Sequence, residues 1–365
     1  MKLIIKLIAN SILFLIIFSS CSSSVKTAQT SPVETIKTEK SSKLKFVLLD
    51  SLSSRSAIIT DTIDKFFDKV TQVDVELQLK RIYVKGNHEA IGKEYAYYLK
   101  RDVMNFSEKD STFLMPILKE VQNMCEEMDP NFFTQPVKLI KVTGNMYGNS
   151  VYYTRQHCII IPANELETAK AEKVKEILIH EMFHIYSRYH PDFRKKAYDL
   201  IGFEEFNHEI SIPAPLDKLY LINPDGVNFN YYIQITDPFT KNKVKAVPVI
   251  YSNAEHYTGF KPSFFEYLEF NLYPIVESET IPNKYELKCN KDGGSPITLQ
   301  LVTDFYTQIK DNTNYIIHPD EIMADNFTFL VNYLKKGKTN NGVKDFSKDG
   351  IELMKKLEML FPTKK

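Results

Sequence analysis

The sequence predicts an α+β fold, and three observations carry the prediction. Residues 165–189 contain no Pro or Gly, and Val174, Ile177, Leu178, Met182 and Ile185 recur at helical spacing. Two short apolar runs, 137–142 and 157–161, read as strands just before that helix. Residues 203–300 then carry strand and turn signals, and helical patterning returns at Pro319. Helices and strands that come in separate runs, rather than in strict alternation, build α+β domains.

The first twenty residues belong to export rather than to the fold. Lys2 and Lys6 form a positive start, and residues 7–18 form an apolar run too short for a typical membrane span. Phe18-Ser19-Ser20-Cys21 follows, with Ser22-Ser23-Ser24 behind it. Small residues before a Cys at this place resemble a bacterial lipoprotein signal, although Phe18 stands where that family usually has Leu. The resemblance implies that residues 1–20 are removed, that Cys21 carries a lipid, and that the lipid anchors the chain to a membrane of the cell envelope, on the outer-membrane or periplasmic side. Residues 21–43 are rich in Ser, Thr and Lys without apolar period and read as a flexible tether. The remaining body, 44–365, is long enough for one large domain or two subdomains with ample core.

Within the body, 61–70 is expected to be helical, and the alternation in 73–84 predicts a strand. Residues 91–105 and 107–128 read as helices, the second capped by Ser107 or Ser111. Between the strands at 137–142 and 157–161 lies the turn-rich Gly144-Asn145-Met146-Tyr147-Gly148-Asn149. The long helix ends at His190-Pro191, and a short helix, 193–201, stops at Gly202. Residues 219–222 lead into the turn Asn223-Pro224-Asp225-Gly226, and 231–236 with 244–251 read as a hairpin around Asp237-Pro238. Residues 263–272 are read as a helix, Asp292 to Pro296 as a loop, and 298–309 as helix in preference to strand. Pro319 suits a first helical turn, and Met323, Phe327, Leu330, Val331 and Leu334 give that helix a core face. A loop at 337–342 and a last helix, 348–360, complete the chain. The body divides into 44–202, a strand-rich 203–310 and a helical 311–365.

Lys plus Arg and Asp plus Glu both number 46, so no basic field argues for a nucleic-acid partner. Cys125, Cys158 and Cys289 are three and widely spaced; one disulfide fits an oxidising envelope, but no disulfide framework is implied.

The residues that carry chemistry are His180-Glu181-Met182-Phe183-His184. On a helix, residues four apart share one face, so two imidazoles can grip one metal ion with a Glu beside them. Eight histidines in 365 residues make a chance H-E-x-x-H a roughly one-in-a-hundred event for such a chain. His88-Glu89 and His208-Glu209 show how chance makes only the first half. His180 and His184 lie off the centre of the apolar stripe, so the helix is expected to floor an open cleft.

The motif resembles that of the zincin class of zinc peptidases. Zinc supplies what peptide hydrolysis lacks at neutral pH, a hydroxide-like nucleophile and a Lewis acid. A catalytic site needs a third protein ligand. Glu204 and Glu205 follow His184 by about twenty residues, the gap of thermolysin-like peptidases. Glu321 and Asp325 lie four apart at the start of the 319–334 helix and resemble the second motif of certain gluzincins. There the Glu binds zinc and the Asp orients a motif His. The resemblance implies Glu321 as ligand and Asp325 as orienter, with Glu204 or Glu205 as alternatives and His190 or His208 more remote. Glu321 lies 137 positions after His184, more than those families usually show, so the strand-rich region would be an insertion. In zincins an edge strand above the metal helix pairs with extended substrate, and Cys158-Ile159-Ile160-Ile161 is the expected strand.

These residues lead to an expected envelope-anchored peptidase with one zinc ion, acting on a peptide or protein. Glu181 would be the general base, and Tyr315, His318 or His256 a second donor to the oxyanion. The rivals are a lipid-anchored binding or structural protein that keeps a zinc site, and a hydrolase of another bond such as a cell-wall amide.

Overall fold

The structure is a computed structural model and describes residues 43–82, 86–261, 263–278, 281–335, 337 and 346–362. The export signal, Cys21, nearly all of the tether, and most of the 337–342 loop lie outside the described residues.

The α+β expectation stands: the described residues form helices and two sheets. The first sheet holds β1 (Phe46–Leu48), β2 (Val103–Met104), β3 (Val137–Val142), β4 (Tyr153–Arg155) and β5 (Cys158–Pro162). Its order is β1-β3-β5-β4, with β2 paired to the end of β3. β1, β3 and β5 run parallel, and β4 is the antiparallel outer strand. Leu139, Ile140, Ile159, Ile160 and Ile161 are fully buried, as strands covered on both faces require. The second sheet is built entirely from residues 203–287. It holds β6 (Phe203–Glu205), β7 (Ile210–Ser211), β8 (Tyr231–Thr236), β9 (Lys243–Ser252), β10 (Leu268–Glu277) and β11 (Tyr285–Leu287), in the order β6-β8-β9-β10-β11-β7.

The helices are α1 (Ser51–Ala57), α2 (Gln72–Leu79), α3 (His88–Asp102), α4 (Glu108–Met128), α5 (Ala163–Thr168), α6 (Ala171–Tyr189), α7 (Pro191–Asp199), α8 (Ala214–Asp217), α9 (Thr303–Ile309), α10 (Pro319–Lys335) and α11 (Lys348–Leu360). α4 begins where its cap predicts: Ser107 Oγ accepts from Asp110 N–H, and Asp110 accepts from Ser107 N–H. α6 and α10 meet through aromatic packing. Phe327 is fully buried, with its ring centroid 5.7 Å from Phe183, 6.0 Å from Phe132 and 5.5 Å from Phe361. Burying a Phe contributes about 1.5–3 kcal/mol, and this cluster fixes α10 against the motif helix.

Several expectations are overturned. Residues 72–79 form helix α2, not a strand: Thr71 caps Asp74 N–H, and the polar alternates are buried in helical pairs, Gln78 to Asp74 and Gln72 to Glu76. The apolar alternation was therefore not one face of a sheet. In 61–70 only a single turn, Phe66–Asp68, is helical, entered through the left-handed Lys65 (φ 56°). In 263–272 the Ser263–Glu266 capping box supports one turn, and from Leu268 the chain pairs with β9 over seven residues. The 165–189 helix is two helices, because Ala169 and Lys170 adopt extended backbone (ψ 149° and 146°). The expected edge strand 158–161 is internal, with β3 on one side and β4 on the other. Cys125, Cys158 and Cys289 are all free thiols.

Candidate metal centre

α6 is buried almost all round in its second half, from Glu181 to Arg188. α10 and the turn at 223–226 lie against the face that bears the histidines: Glu321 contacts both rings and Asn223 bonds Glu321, while the His180 side chain stays 14% exposed. α10 brings acidic residues at its first turn, where the exposed backbone N–H groups favour them. Asp320 and Glu321 sit side by side there, and Asp325 follows one turn later.

These residues converge on the motif. His180 Nε2 lies 3.1 Å and His184 Nε2 3.4 Å from the same atom, Glu321 Oε2. The two rings are 4.7 Å apart and nearly perpendicular, at 79°. Each Nδ1 is held by its own carboxylate. His180 Nδ1 donates to Asp325 Oδ1 at 3.0 Å, and His184 Nδ1 donates to Asp320 Oδ2 at 2.7 Å. Asp320 is itself fixed by Ser187 Oγ (2.8 Å) and Tyr198 OH (2.6 Å), and Asp325 by Thr313 Oγ1. With both Nδ1 atoms occupied, the Nε2 atoms are the faces left for a ligand. Glu181 is 4% exposed, and its Oε2 has no hydrogen-bond partner among the described residues.

A second set of contacts comes from the strand-rich region. Asn223 Nδ2 donates to Glu321 Oε1 at 2.8 Å. Asp225, with its side chain 5% exposed, groups with His184 and Glu321 so that one ligand atom of each lies within 4.8 Å of the others. Its Oδ1 accepts from Thr154 N–H at 2.9 Å and from Thr154 Oγ1, and lies 3.7 Å from Arg188 Nη2. Thr154 is the middle residue of β4.

The charges are strongly coupled by proximity. Burial alone would lower His180, but hydrogen bonds to Asp325 and Glu321 raise it to about 10. His184 is likewise raised, with burial overcome by Glu321, Asp225 and Asp320. Burial would raise Glu321, but the His184 charge and the hydrogen bond from His180 hold it well below the carboxylate range. Burial, then Asp225, push Glu181 up to about 8. Burial lowers His318 to about 4, so its ring is neutral and its Nδ1 accepts from Asp320 N–H.

This donor set fits a divalent cation. Two imidazole nitrogens lie against one carboxylate oxygen, both rings are oriented from behind, and His180, Glu181 and His184, like His184, Asp225 and Glu321, bring one ligand atom each within 4.8 Å of the others. One consequence is measurable. The surrounding carboxylates raise both histidines, so a metal must displace protons to reach Nε2. Zinc titration by calorimetry in buffers of different ionisation enthalpy should show protons released on binding, with affinity rising from pH 6 to 9. Release near zero would mean that the metal binds elsewhere.

Compared with known proteins, the chain matches no family model, no curated protein and no solved structure. The site is therefore read from its own geometry.

The structure brings His180, Glu181, His184, Glu321 and Asp325 together. Tyr315 joins them, its ring 6.1 Å from His180 and inclined by 24°, and His318 stands at the start of α10. The alternatives lie elsewhere. Glu204 and Glu205 are exposed on β6, where Glu204 accepts from Tyr232 OH and Glu205 pairs with Lys195. His190 bonds Tyr186 O at the end of α6, His208 packs against Tyr285, and His256 bonds Glu76. Two residues at the centre were not singled out by sequence reasoning, Asp320 and Asp225. Asp320 had a signal, as the second acidic residue in the first turn of α10. Asp225 had only a turn signature, which says nothing of where the turn points.

Proposed function

We propose that this chain is a zinc-dependent peptidase of gluzincin type, held in the bacterial cell envelope by a lipid on Cys21. The single observation that carries the reading is the convergence of His180 Nε2 and His184 Nε2 on Glu321, with each Nδ1 held by a separate carboxylate. His180, His184 and Glu321 would hold one zinc ion, which when bound supplies a Lewis acid and acidifies water. Asp325 and Asp320 keep the two rings in the tautomer that presents Nε2. Glu181 has a partnerless buried oxygen beside the histidines, suited to take a proton from the attacking water and return it to the leaving amine. Tyr315 and His318 are the donors within reach of the site for a developing oxyanion; His256 is engaged with Glu76 and drops out. The mixed sheet supports the zincin-like reading through β4, an antiparallel outer strand tied to the motif helix by Arg188 Nη1, which donates to Thr154 Oγ1 at 2.9 Å.

One observation favours a second reading, a lipid-anchored protein that keeps a non-catalytic zinc site. Most of the site is buried, with His184 1%, Glu321 2% and the His180 side chain 14% exposed, and Asp225 is available as a further ligand. Closed four-ligand sites are the structural type. Hydrolysis of a mixed peptide library separates the two. The peptidase reading expects zinc-dependent cleavage that Glu181→Gln abolishes; the binding reading expects bound zinc and no cleavage under any condition that opens the site.

A further inference from the structure

Two things a peptidase of this kind must leave free are the open side of its metal and the outward backbone of its outer strand. Here one turn occupies both. Asp225 carries a carboxylate to within metal-sharing distance of His184 and Glu321, while the same carboxylate accepts the outward N–H of Thr154 in β4. Asn223 in the same turn donates to the free oxygen of Glu321.

We propose that Asp225 is the fourth protein ligand of the metal and that the Asn223–Gly226 turn is a stopper seated where substrate would lie. The proposal rests on the metal-site reading above and adds to it the state in which the site is held. The turn takes up contacts that an extended substrate would need: the Asp225 carboxylate accepts a backbone N–H of β4, and it stands beside His184 and Glu321. Glu181, 4% exposed and with a partnerless oxygen, brings a carboxylate oxygen within 4.8 Å of ring nitrogens of His180 and His184.

The local fold holds the turn in place. Asp225 N–H donates to Asn223 Oδ1 at 3.0 Å, and Gly226 N–H to Asn223 O at 3.2 Å. Gly226 is needed because a Cβ there would fall 2.5 Å from the His318 ring. Arg188, one turn beyond His184 on the same helix, lies 3.7 Å from Asp225. The stem of the turn belongs to the second sheet: Leu221 N–H donates to Ile250 O and Ser252 N–H to Leu219 O, both on β9. A shift of β9 relative to the first sheet would withdraw the stopper and leave one open coordination position, which is the difference between a structural and a catalytic zinc site.

The test uses cobalt(II) in place of zinc in the whole protein, with acetohydroxamate as the probe of an open position and visible absorption as the readout. In the native protein the cobalt spectrum should be indifferent to millimolar hydroxamate. Asp225→Asn keeps the side-chain shape and removes the ligand charge; its spectrum should change on adding hydroxamate, and its zinc affinity should fall by at least about 10-fold, the loss that removal of even an outer partner of a ligand causes. Gly226→Ala leaves Asp225 intact and forces the turn off His318, so it should also admit hydroxamate. Equal hydroxamate binding by the native protein and both variants, with unchanged zinc affinity, would overturn the stopper while leaving the metal site standing. A native protein that takes up neither cobalt nor zinc would overturn the stopper and the metal site together.

Discussion

With the Asn223–Gly226 turn withdrawn from the site, Glu181→Gln should retain one zinc per chain and lose about 10²–10⁴-fold in hydrolytic rate against Glu181 in the same background, the usual worth of a positioned general base. Gln fills the same volume, so the packing around His180 and His184 stays. The amide cannot accept a proton from water or carry it to the leaving amine. The variant should be as stable as the native protein, because burial and the Asp225 charge already disfavour the Glu181 carboxylate and push it up to about 8. Removing an ionisable group from such a place relieves a cost. Metal content by mass spectrometry and cleavage of a peptide library read the two effects separately. Full activity in this variant would remove Glu181 from the mechanism.

Glu321→Ala is expected to do more damage, and of a different kind. It takes away the carboxylate on which both Nε2 atoms converge and the acceptor of Asn223 Nδ2. Zinc should be lost on dialysis. The metal-free variant should also be less stable by about 3–5 kcal/mol, the cost of leaving a buried charge without its partner. Glu204→Ala and Glu205→Ala supply the contrast. Both residues are exposed on β6, so each should stay within about 0.5 kcal/mol of the native protein and keep its metal. Tight zinc in Glu321→Ala, or its loss in either β6 variant, would reverse the assignment of the third ligand.

What the chain reveals of itself before folding follows physical lines. α4 and α10 were legible because their starts carry local chemistry, the Ser107–Asp110 capping box and Pro319 with its acidic first turn. The β8–β9 hairpin was legible because both strands flank a turn signature. α2 was not, since its alternation of Val73, Val75 and Leu77 with Asp74, Glu76 and Gln78 looks like a strand, and only tertiary burial of both sets makes it a helix. β10 is hidden for the converse reason: a helix-capping pair at Ser263 and Glu266 precedes a segment whose partner, β9, decides its form. At the site, the motif histidines could be proposed from spacing, because four-residue spacing on a helix is a local fact, and Glu321 with Asp325 from the resemblance to the second gluzincin motif. Asp225 could not. Its importance comes from the path of the second sheet, which hangs the turn from β9 and sets it against β4 and α10.

The central claim is that His180, His184 and Glu321 share one zinc ion, and zinc-edge X-ray absorption of the purified protein tests it most directly. One zinc per chain is expected, bound by two imidazole nitrogens and by oxygens alone otherwise, all at about 2.0–2.2 Å, with the oxygen signal reduced in Glu321→Ala if any zinc remains. A spectrum with sulfur ligands, or a native protein that holds no zinc, would contradict it.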